Sequence, residues 1–375
     1  MRRIPVTNSE EMERRVYRVV AYEDLHTEWQ EHLHFAVLAE SGKAKLGVQR
    51  LQQSGLTNIA WIDSPDLESG DIIVPHEQKS QVTVVYRESD VHHSLFMTNR
   101  CNSNCLMRSQ PPTKHDDSWL IAEALEIIAH IRVSPSALGL TGGEPVLLGG
   151  ALRTIIDAIQ TLHPATHIEI LTNGRLLKDT DLVKNLTINL TSTVSWLVPL
   201  YGHADFIHDF VVQSPGAFEE TIAGLLNLQE YQQPIQLRIV LIDPVLRVLP
   251  ELCQFIGQNL PFVNVVALMA CEPIGYALAN QDQCEVDLVE WGDQLLSSAR
   301  TLQRHAVPFL LMNAPLCSIP SQLWQHARRS ISDWKNVYAE ECRDCHVKAQ
   351  CSGLFAWHER GWKPTRIKAI EETLL

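Results

Sequence analysis

Residues 136–174 read SALGLTGGEPVLLGGALRTIIDAIQTLHPATHIEILTNG and form one complete strand–helix–strand pattern. The two ends of this stretch, Ser136–Gly143 and His167–Gly174, are short apolar runs that finish in glycine turns, which is typical of buried β-strands. The segment ALRTIIDAIQTLH between them has apolar residues at helical spacing. A helix that joins two such strands predicts a parallel pair, the βαβ unit.

The same alternation continues on both sides of this unit. Upstream, His93–Asn99 predicts a strand and Asp117–Arg132 predicts an amphipathic helix. Downstream, three more apolar runs predict strands, at 188–200, 235–242 and 263–269. Six such units are too few for the eight-unit barrel of ~250 residues, so the predicted fold class is α/β with a partial (β/α)6 TIM-like barrel. Functional loops of such a barrel lie at the carboxyl ends of its strands.

The barrel pattern divides the chain into three predicted domains. Residues 1–92 contain no cysteine, and their short apolar runs predict a small N-terminal α+β domain. Residues 93–285 carry the partial barrel. Residues 286–375 form a C-terminal extension that contains a cluster of cysteines.

Composition excludes several classes of protein. The 375 residues include 44 acidic and 31 basic side chains, for a net charge of −13, which argues against a broad nucleic-acid surface because phosphate binding needs clustered Lys and Arg. No run reaches the ~18–20 apolar residues of a membrane helix, and the N-terminus lacks the apolar core of a secretory signal. We therefore expect a cytoplasmic protein, and we interpret its nine cysteines as thiols or metal ligands.

The first cysteine motif follows the first barrel strand, in FMTNRCNSNCLMRSQPP at 96–112. A C-x3-C-x2-C loop at this place indicates a radical S-adenosylmethionine enzyme, because three thiolates hold a 4Fe–4S cube and leave one iron free to chelate the cofactor. Cys101 and Cys105 match, but the third position is Arg108. A guanidinium is permanently cationic and offers iron no lone pair, so the ligand set of this catalytic cluster is incomplete. Alone, the two cysteines are equally well read as free thiols on a loop.

The second motif is the turn LTGGEPVL at 140–147. Gly142 and Gly143 allow close approach of the backbone to a ligand. Together with Pro145 they form a turn whose carbonyl groups, with the Glu144 carboxylate, can accept hydrogen bonds from the ammonium group of S-adenosylmethionine. The alternative is an ordinary strand-to-helix turn.

Three further residues are candidate contacts of the cofactor. Asn173 and Ser195 are predicted at strand ends, where they would bind ribose hydroxyls, although both could be ordinary turn residues. Arg238 lies on the fifth predicted strand and would pair with the cofactor carboxylate, or else form a surface salt bridge. No residue is assigned as a general acid or base, because hydrogen abstraction by a radical needs none.

The third motif is the C-terminal sequence EECRDCHVKAQCSGLF at 340–355. Its spacing C-x2-C-x5-C predicts a metal site with Cys342, Cys345 and Cys351 as ligands. Cys317 is the best fourth ligand, and four thiolates suit either an auxiliary 4Fe–4S cluster or zinc. His346 or His358 could replace Cys317 in a zinc site. A structural zinc knuckle is the alternative for this motif alone.

Taken together, these motifs resemble the HxsC family, the radical S-adenosylmethionine maturases of the His-Xaa-Ser system. The likeness covers roughly His93 to Phe355 and rests on the motifs above and on further segments: LTNGR, RIVL, LPFVNVVALM, YGHADFIHDFVVQSPGAFEET at 201–221 and SISDWKN at 330–336. The last two are the most diagnostic, since many radical enzymes share the GGEP turn. The N-terminal region carries no such likeness.

The resemblance implies both a structure and a function. The C-terminal extension would be related to SPASM and twitch domains, and the missing cysteine near Phe355 would leave a single auxiliary cluster completed by Cys317. The family modifies a small protein with His-Xaa-Ser repeats through a 5′-deoxyadenosyl radical, beside a second radical maturase and with an electron donor. Arg108 departs from the family pattern and bears on activity. Two alternatives remain: a catalytically inactive peptide-binding partner of the second maturase, and a zinc-binding barrel protein.

Overall fold

The computed structural model describes residues 2–7, 12–39, 41–76, 80–191, 193–362 and 366–371. The first part contains a six-stranded sheet with strand order β1-β6-β5-β2-β3-β4. Its elements are β1 (Arg2–Pro5), β2 (Tyr17–Ala21), α1 (Leu25–Glu28), β3 (Phe35–Leu38), α2 (Gly42–Gln53), β4 (Ile59–Ile62), β5 (Ile72–Pro75) and β6 (Gln81–Tyr86). Strands β2, β3 and β4 are parallel and the remaining pairs are antiparallel.

The second part contains strands that alternate with helices, as the sequence predicts. Its elements are β7 (Ser94–Phe96), α3 (Trp119–His130), β8 (Ala137–Thr141), α4 (Gly150–Leu162), β9 (His167–Leu171), α5 (Thr180–Thr187), β10 (Val194–Pro199), α6 (Asp205–Val212), α7 (Ala217–Glu230), β11 (Ile235–Leu241), α8 (Asp243–Leu246), α9 (Leu249–Asn259), β12 (Val265–Ala270), α10 (Tyr276–Ala279), α11 (Gln281–Cys284), α12 (Gly292–Arg304), β13 (Phe309–Met312) and β14 (Ala327–Arg328).

Strands β7 to β14 form one wholly parallel sheet in sequential order. Because β7 and β14 remain its two ends, the sheet is an open, partial barrel, and the predicted α/β class is confirmed. The sheet also extends beyond residue 285, the predicted end of the barrel, to β13 and β14. Helix α12 and strand β13 continue the same alternation, and β14 is too short to produce an apolar run in the sequence.

The barrel core explains why the functional loops gather at one edge. Leu138 and Leu140 of β8, Ile155 and Ile156 of α4 and Trp196 of β10 are fully buried. Each such aliphatic side chain stabilises the fold by about 1.5–3 kcal/mol. This packing fixes the strands in parallel register, so the loops that follow them all leave the sheet at its carboxyl edge.

The part of the C-terminal extension that follows β14 has little regular structure. Its strands within the described residues are β15 (Asn336–Val337) and β16 (Leu354–Phe355), which pair in antiparallel fashion. The chain between them makes short 3₁₀ turns at Glu340–Cys342 and Lys348–Gln350. Cys342 ends the first turn, Cys345 lies between the two, and Cys351 directly follows the second. Across the part of the chain that the structure describes, no helix combines the length and apolar character needed to cross a bilayer.

Candidate cofactor cavity and cysteine sites

A cavity of about 310 Å³ opens at the carboxyl edge of the barrel sheet. It brings together residues that lie far apart in the sequence. The candidate residues that line it are Cys101, Cys105, Gly142, Gly143, Asn173 and Arg238, together with Arg108. Tyr201 and Met269 also line it. No sequence pattern indicates either of them, because an apolar or aromatic residue in a strand or just after one usually belongs to the core.

The glycines of the GGEP turn allow the turn to pack against the cysteine loop. Gly142 has φ 150°, and a Cβ on it would lie 2.5 Å from the carbonyl oxygen of Thr98. A Cβ on Gly143 would lie 2.0 Å from the carbonyl oxygen of Arg100. The N–H of Gly143 donates to Thr98 O at 2.6 Å. The two glycines therefore let the turn pack closely against the cysteine loop, and both also line the cavity.

Glu144 holds two neighbouring strand ends together. Its side chain is 1% exposed, and Oε1 accepts hydrogen bonds from the Thr172 hydroxyl at 2.6 Å and from Val146 N–H at 2.9 Å. Oε2 accepts the N–H of Asn173 at 2.6 Å. Burial raises the pKa of Glu144, and these hydrogen bonds oppose the rise. The carboxylate thus positions the cavity wall through these three hydrogen bonds. Pro145 opens the following 3₁₀ turn and is buried.

Asn173 and its neighbour Arg175 tie the turn after β9 to the cysteine loop. Nδ2 of Asn173 donates to Asn102 Oδ1 at 2.5 Å and approaches Cys101 Sγ at 3.9 Å. Arg175 donates to the Asn102 carbonyl and to Ser103 Oγ (3.1 Å). Its Nε pairs with Glu220 at 2.7 Å. Arg175 belongs to the LTNGR segment, for which the sequence predicts no role. In the structure its hydrogen bonds hold the cysteine loop against the turn after β9.

Ser195 does not lie at a carboxyl strand end. It is the second residue of β10, opposite Glu169 of β9, so it sits at the amino end of its strand. The predicted strand began six residues too early, at Ile188, whereas β10 starts at Val194. Leu197 and Pro199 of the same strand line the cavity, and Ser195 is one step below them on that face.

The cysteine loop is held by backbone hydrogen bonds to α6. The N–H groups of Asn104 and Leu106 donate to the carbonyl oxygens of Val212 and Val211, each at 3.0 Å. These carbonyls belong to the last turn of α6, where helical partners are missing. The loop is therefore ordered by the protein itself.

Arg108 satisfies its guanidinium within the same loop. Nε donates to the Gln110 carbonyl at 2.6 Å and Nη1 to the Ser103 carbonyl at 3.0 Å. Burial raises the pKa of the Cys105 thiol to about 11, the adjacent Cys101 adds to this rise, and the Arg108 charge opposes it. Two thiols and a guanidinium do not fit a cube that needs three thiolates. The residues present thus disagree with a complete catalytic cluster.

Arg238 gives the cavity a second positive group. It lies on β11 and Nε donates to Sδ of Met269 at 3.2 Å. Within the described residues its guanidinium is in no ion pair. Burial lowers its pKa, while Glu169 and Tyr201 act in the opposite direction, and a guanidinium remains charged at neutral pH. An unpaired, largely enclosed guanidinium fits an anionic ligand.

The four C-terminal candidate ligands converge on one small cavity. Cys317, Cys342, Cys345 and Cys351 line a space of about 10 Å³. Burial raises the pKa of Cys317 and Cys342, and neighbouring thiols raise both further. In the described ranges, however, no three His, Cys, Asp or Glu side chains are close enough to share one metal ion. The donor set suits zinc or a cluster, whereas the present spacing is not that of a single-ion site.

Backbone N–H groups point at these thiols. Leu316 and Gly353 donate to Cys351 Sγ at 3.4 and 3.5 Å, and Ile370 donates to Cys345 Sγ at 3.4 Å. Such donors stabilise thiolates and tune iron–sulfur centres. The alternative ligands are less well placed: His358 lines a different cavity and its Nδ1 lies 3.0 Å from the Phe355 carbonyl oxygen. His346 also lies outside the lining of the cysteine cavity.

Comparison with known proteins gives only distant likenesses. No family model and no curated protein matches the chain. Among solved structures, Streptococcus suis SuiB bound to S-adenosylmethionine has 13% identity and a TM-score of 0.47, covering 59% of this chain and 50% of SuiB. SuiB bound to precursor peptide SuiA has 11% identity, a TM-score of 0.47, and coverages of 72% and 60%. The anSMEcpe protein with bound AdoMet has 14% identity, a TM-score of 0.45, and coverages of 58% and 61%.

This chain thus spans only 50% to 61% of the length of these three structures. Sequence identities of 11% to 14% assign no activity to this chain.

Proposed function

We propose that this chain is a peptide maturase of the radical S-adenosylmethionine type, related to the His-Xaa-Ser system, in which Arg108 replaces one cluster ligand. The observation that carries the proposal is the central cavity, because the cysteine loop, the GGEP turn and Arg238 all meet there. The sequence resemblance between His93 and Phe355 supports the substrate class, a small protein with His-Xaa-Ser repeats.

Each group of the cavity has a proposed part. Arg238 would pair with the carboxylate of S-adenosylmethionine, since its guanidinium lines the cavity and is in no ion pair within the described residues. Asn173 lies beside Cys101 and would contact the ribose or the amino acid end. Ser195, at the amino end of β10, no longer supports a ribose contact. A three-thiolate 4Fe–4S cluster supplies the electron that cleaves the cofactor in this class of enzyme, and this chain has two of its thiols.

The auxiliary site is proposed at Cys317, Cys342, Cys345 and Cys351, as a 4Fe–4S cluster with zinc as the alternative. The N–H donors on Cys345 and Cys351 support the cluster. A cytoplasmic location, an external electron donor and a second maturase as partner belong to the same proposal.

A second candidate function follows from Arg108 itself. Its guanidinium donates hydrogen bonds to the Ser103 and Gln110 carbonyls, and these bonds hold the cysteine loop together with no cluster present. A peptide-binding partner that keeps the cavity but performs no radical chemistry fits this observation. The zinc-binding barrel protein is the third possibility and is separated from the others by metal analysis.

The deciding experiment is anaerobic reconstitution of the wild type and of Arg108→Cys, with iron, sulfide and zinc counted per chain. The restored thiol is expected to add about four irons and four sulfides and to produce reductive cleavage of S-adenosylmethionine. Equal metal content in the two proteins would show that the loop at Cys101 is not a cluster site, and the maturase proposal would be abandoned.

A further inference from the structure

A second cavity of about 190 Å³ adjoins the central one. The two share three lining residues, Phe96, Gln110 and Thr141, and therefore adjoin at these side chains. This side chamber lies between β6 of the N-terminal sheet, β7 of the barrel and residues 332–335 of the C-terminal extension. It is therefore the place where all three parts of the chain face the cofactor cavity.

Ser332, Trp334 and Lys335 line the side chamber. They belong to residues 330–336, which we name the strap. This SISDWKN segment is among the stretches most diagnostic of the family resemblance. None of its residues lines the central cavity. Asp333 accepts the N–H of Val91 at 3.0 Å, just before β7. Lys335 pairs with Glu272, just after β12, at 3.1 Å. The strap is thus fixed at two points, one just before β7 and one just after β12.

The side chamber offers aromatic surfaces while its charges are already neutralised. Trp334 of the strap lines it, and the ring of Tyr86 stacks on that of His93 with centroids 4.4 Å apart. The charged groups in the wall are paired: Arg2 with Asp90 at 2.6 Å, and Lys335 with Glu272. Such a wall suits a flat, uncharged side chain better than an anion.

Strand β7 adds a backbone surface. It is an end strand of the eight-stranded sheet, so only one of its edges is paired within that sheet. Ser94 and Phe96 of this strand line the side chamber. A free strand edge beside side-chain pockets is the arrangement by which sheets bind extended peptides.

We propose that the side chamber is a peptide subsite. An extended segment of the substrate polypeptide lies along the free edge of β7 beneath the strap, with aromatic or imidazole side chains against Trp334 and Tyr86. One side chain is directed past Phe96, Gln110 and Thr141, toward the central cavity. This inference rests on the proposed function, since it takes a peptide as the substrate, and it assigns the N-terminal domain and the strap to substrate binding.

The test uses the full chain and a fluorescein-labelled synthetic peptide of His-Gly-Ser repeats, with binding followed by fluorescence anisotropy. Trp334→Ala is expected to weaken peptide binding about tenfold or more, and Trp334→Phe less. Ser332→Phe, which fills the side chamber instead of emptying it, should weaken binding as well. Trp119→Ala is the matched control, because Trp119 is 47% exposed and lies outside both cavities.

Two further measurements separate the possible outcomes. Thermal melting shows whether each variant is folded, and S-adenosylmethionine affinity should be unchanged in the Trp334 and Ser332 variants. If wild type binds the peptide and these variants bind it equally well, the subsite is refuted while the proposed function stands. If wild type binds S-adenosylmethionine but not the peptide, both the subsite and the His-Xaa-Ser substrate are refuted.

Discussion

Replacing Arg238 by methionine tests the assignment of the cofactor carboxylate. The guanidinium lines the central cavity and is in no ion pair within the described residues, so its loss leaves no buried acid without a partner. A hydrogen bond to a charged group contributes about 1.5–3 kcal/mol. At about 1.4 kcal/mol per factor of ten, the dissociation constant of S-adenosylmethionine should rise roughly 10- to 150-fold.

Isothermal titration calorimetry under anaerobic conditions measures this change. 5′-Methylthioadenosine lacks the carboxylate, so Arg238→Met should leave its affinity unchanged. Arg238→Lys keeps the charge without the planar fork and should fall between wild type and methionine. Arg247→Ala is the matched control, since that arginine is exposed and pairs with Asp243 on its own helical turn.

Two results would refute the reasoning. An unchanged affinity for S-adenosylmethionine in Arg238→Met would show that the carboxylate lies elsewhere in the cavity. Equal losses for both ligands would show that the substitution distorts the cavity as a whole. The pair of ligands therefore distinguishes a carboxylate contact from a change in shape.

Three further predictions concern packing, protonation and metal. Gly143→Ala places a Cβ 2.0 Å from the Arg100 carbonyl oxygen and should lower the free energy of unfolding by roughly 1–3 kcal/mol in urea denaturation, whereas Gly150→Ala, with open space around it, should not. Burial lowers the pKa of His208 to about 4, and its Nδ1 accepts the N–H of Tyr201. Because the unfolded chain takes up a proton near pH 6.5 and the folded chain does not, the free energy of unfolding should fall by on the order of 3 kcal/mol between pH 6.5 and about 4. His208→Phe should lose this pH dependence. Cys317→Ser should lower the iron or zinc content of the reconstituted protein, whereas the buried Cys253→Ser should keep it; equal metal content in both would remove Cys317 from the ligand set.

The strands of the barrel were predictable because each combines a buried apolar run with a turn signal. Leu138 and Leu140 point into the core and Gly142 follows them, so both local and tertiary requirements favour the same structure. Strand β14 has two residues and exists only through its pairing with β13. A sequence pattern cannot show an element of that length.

The site was less predictable because its residues act through contacts that are distant in sequence. Glu144 was predictable from the GGE pattern. Its hydrogen-bond partners, Thr172 and Asn173, follow the next strand and could not be read from that pattern. Ser195 was placed at the wrong end of its strand because the apolar run began before β10. Arg175 has no local signal for its hydrogen bonds to the cysteine loop, which lies more than seventy residues upstream.

The hydrogen bonds from Asn104 and Leu106 to α6 have a consequence for the history of such a protein. They fix the loop that carries Cys101 and Cys105 through the main chain, and a main-chain contact is insensitive to the identity of the side chain at position 108. Under the proposed function, one amino-acid change there would add or remove a cluster ligand while these main-chain hydrogen bonds remain, at the cost of the two side-chain hydrogen bonds of Arg108. If the proposed function holds, a lineage with this loop would pass between enzyme and binding protein in a single step, in either direction.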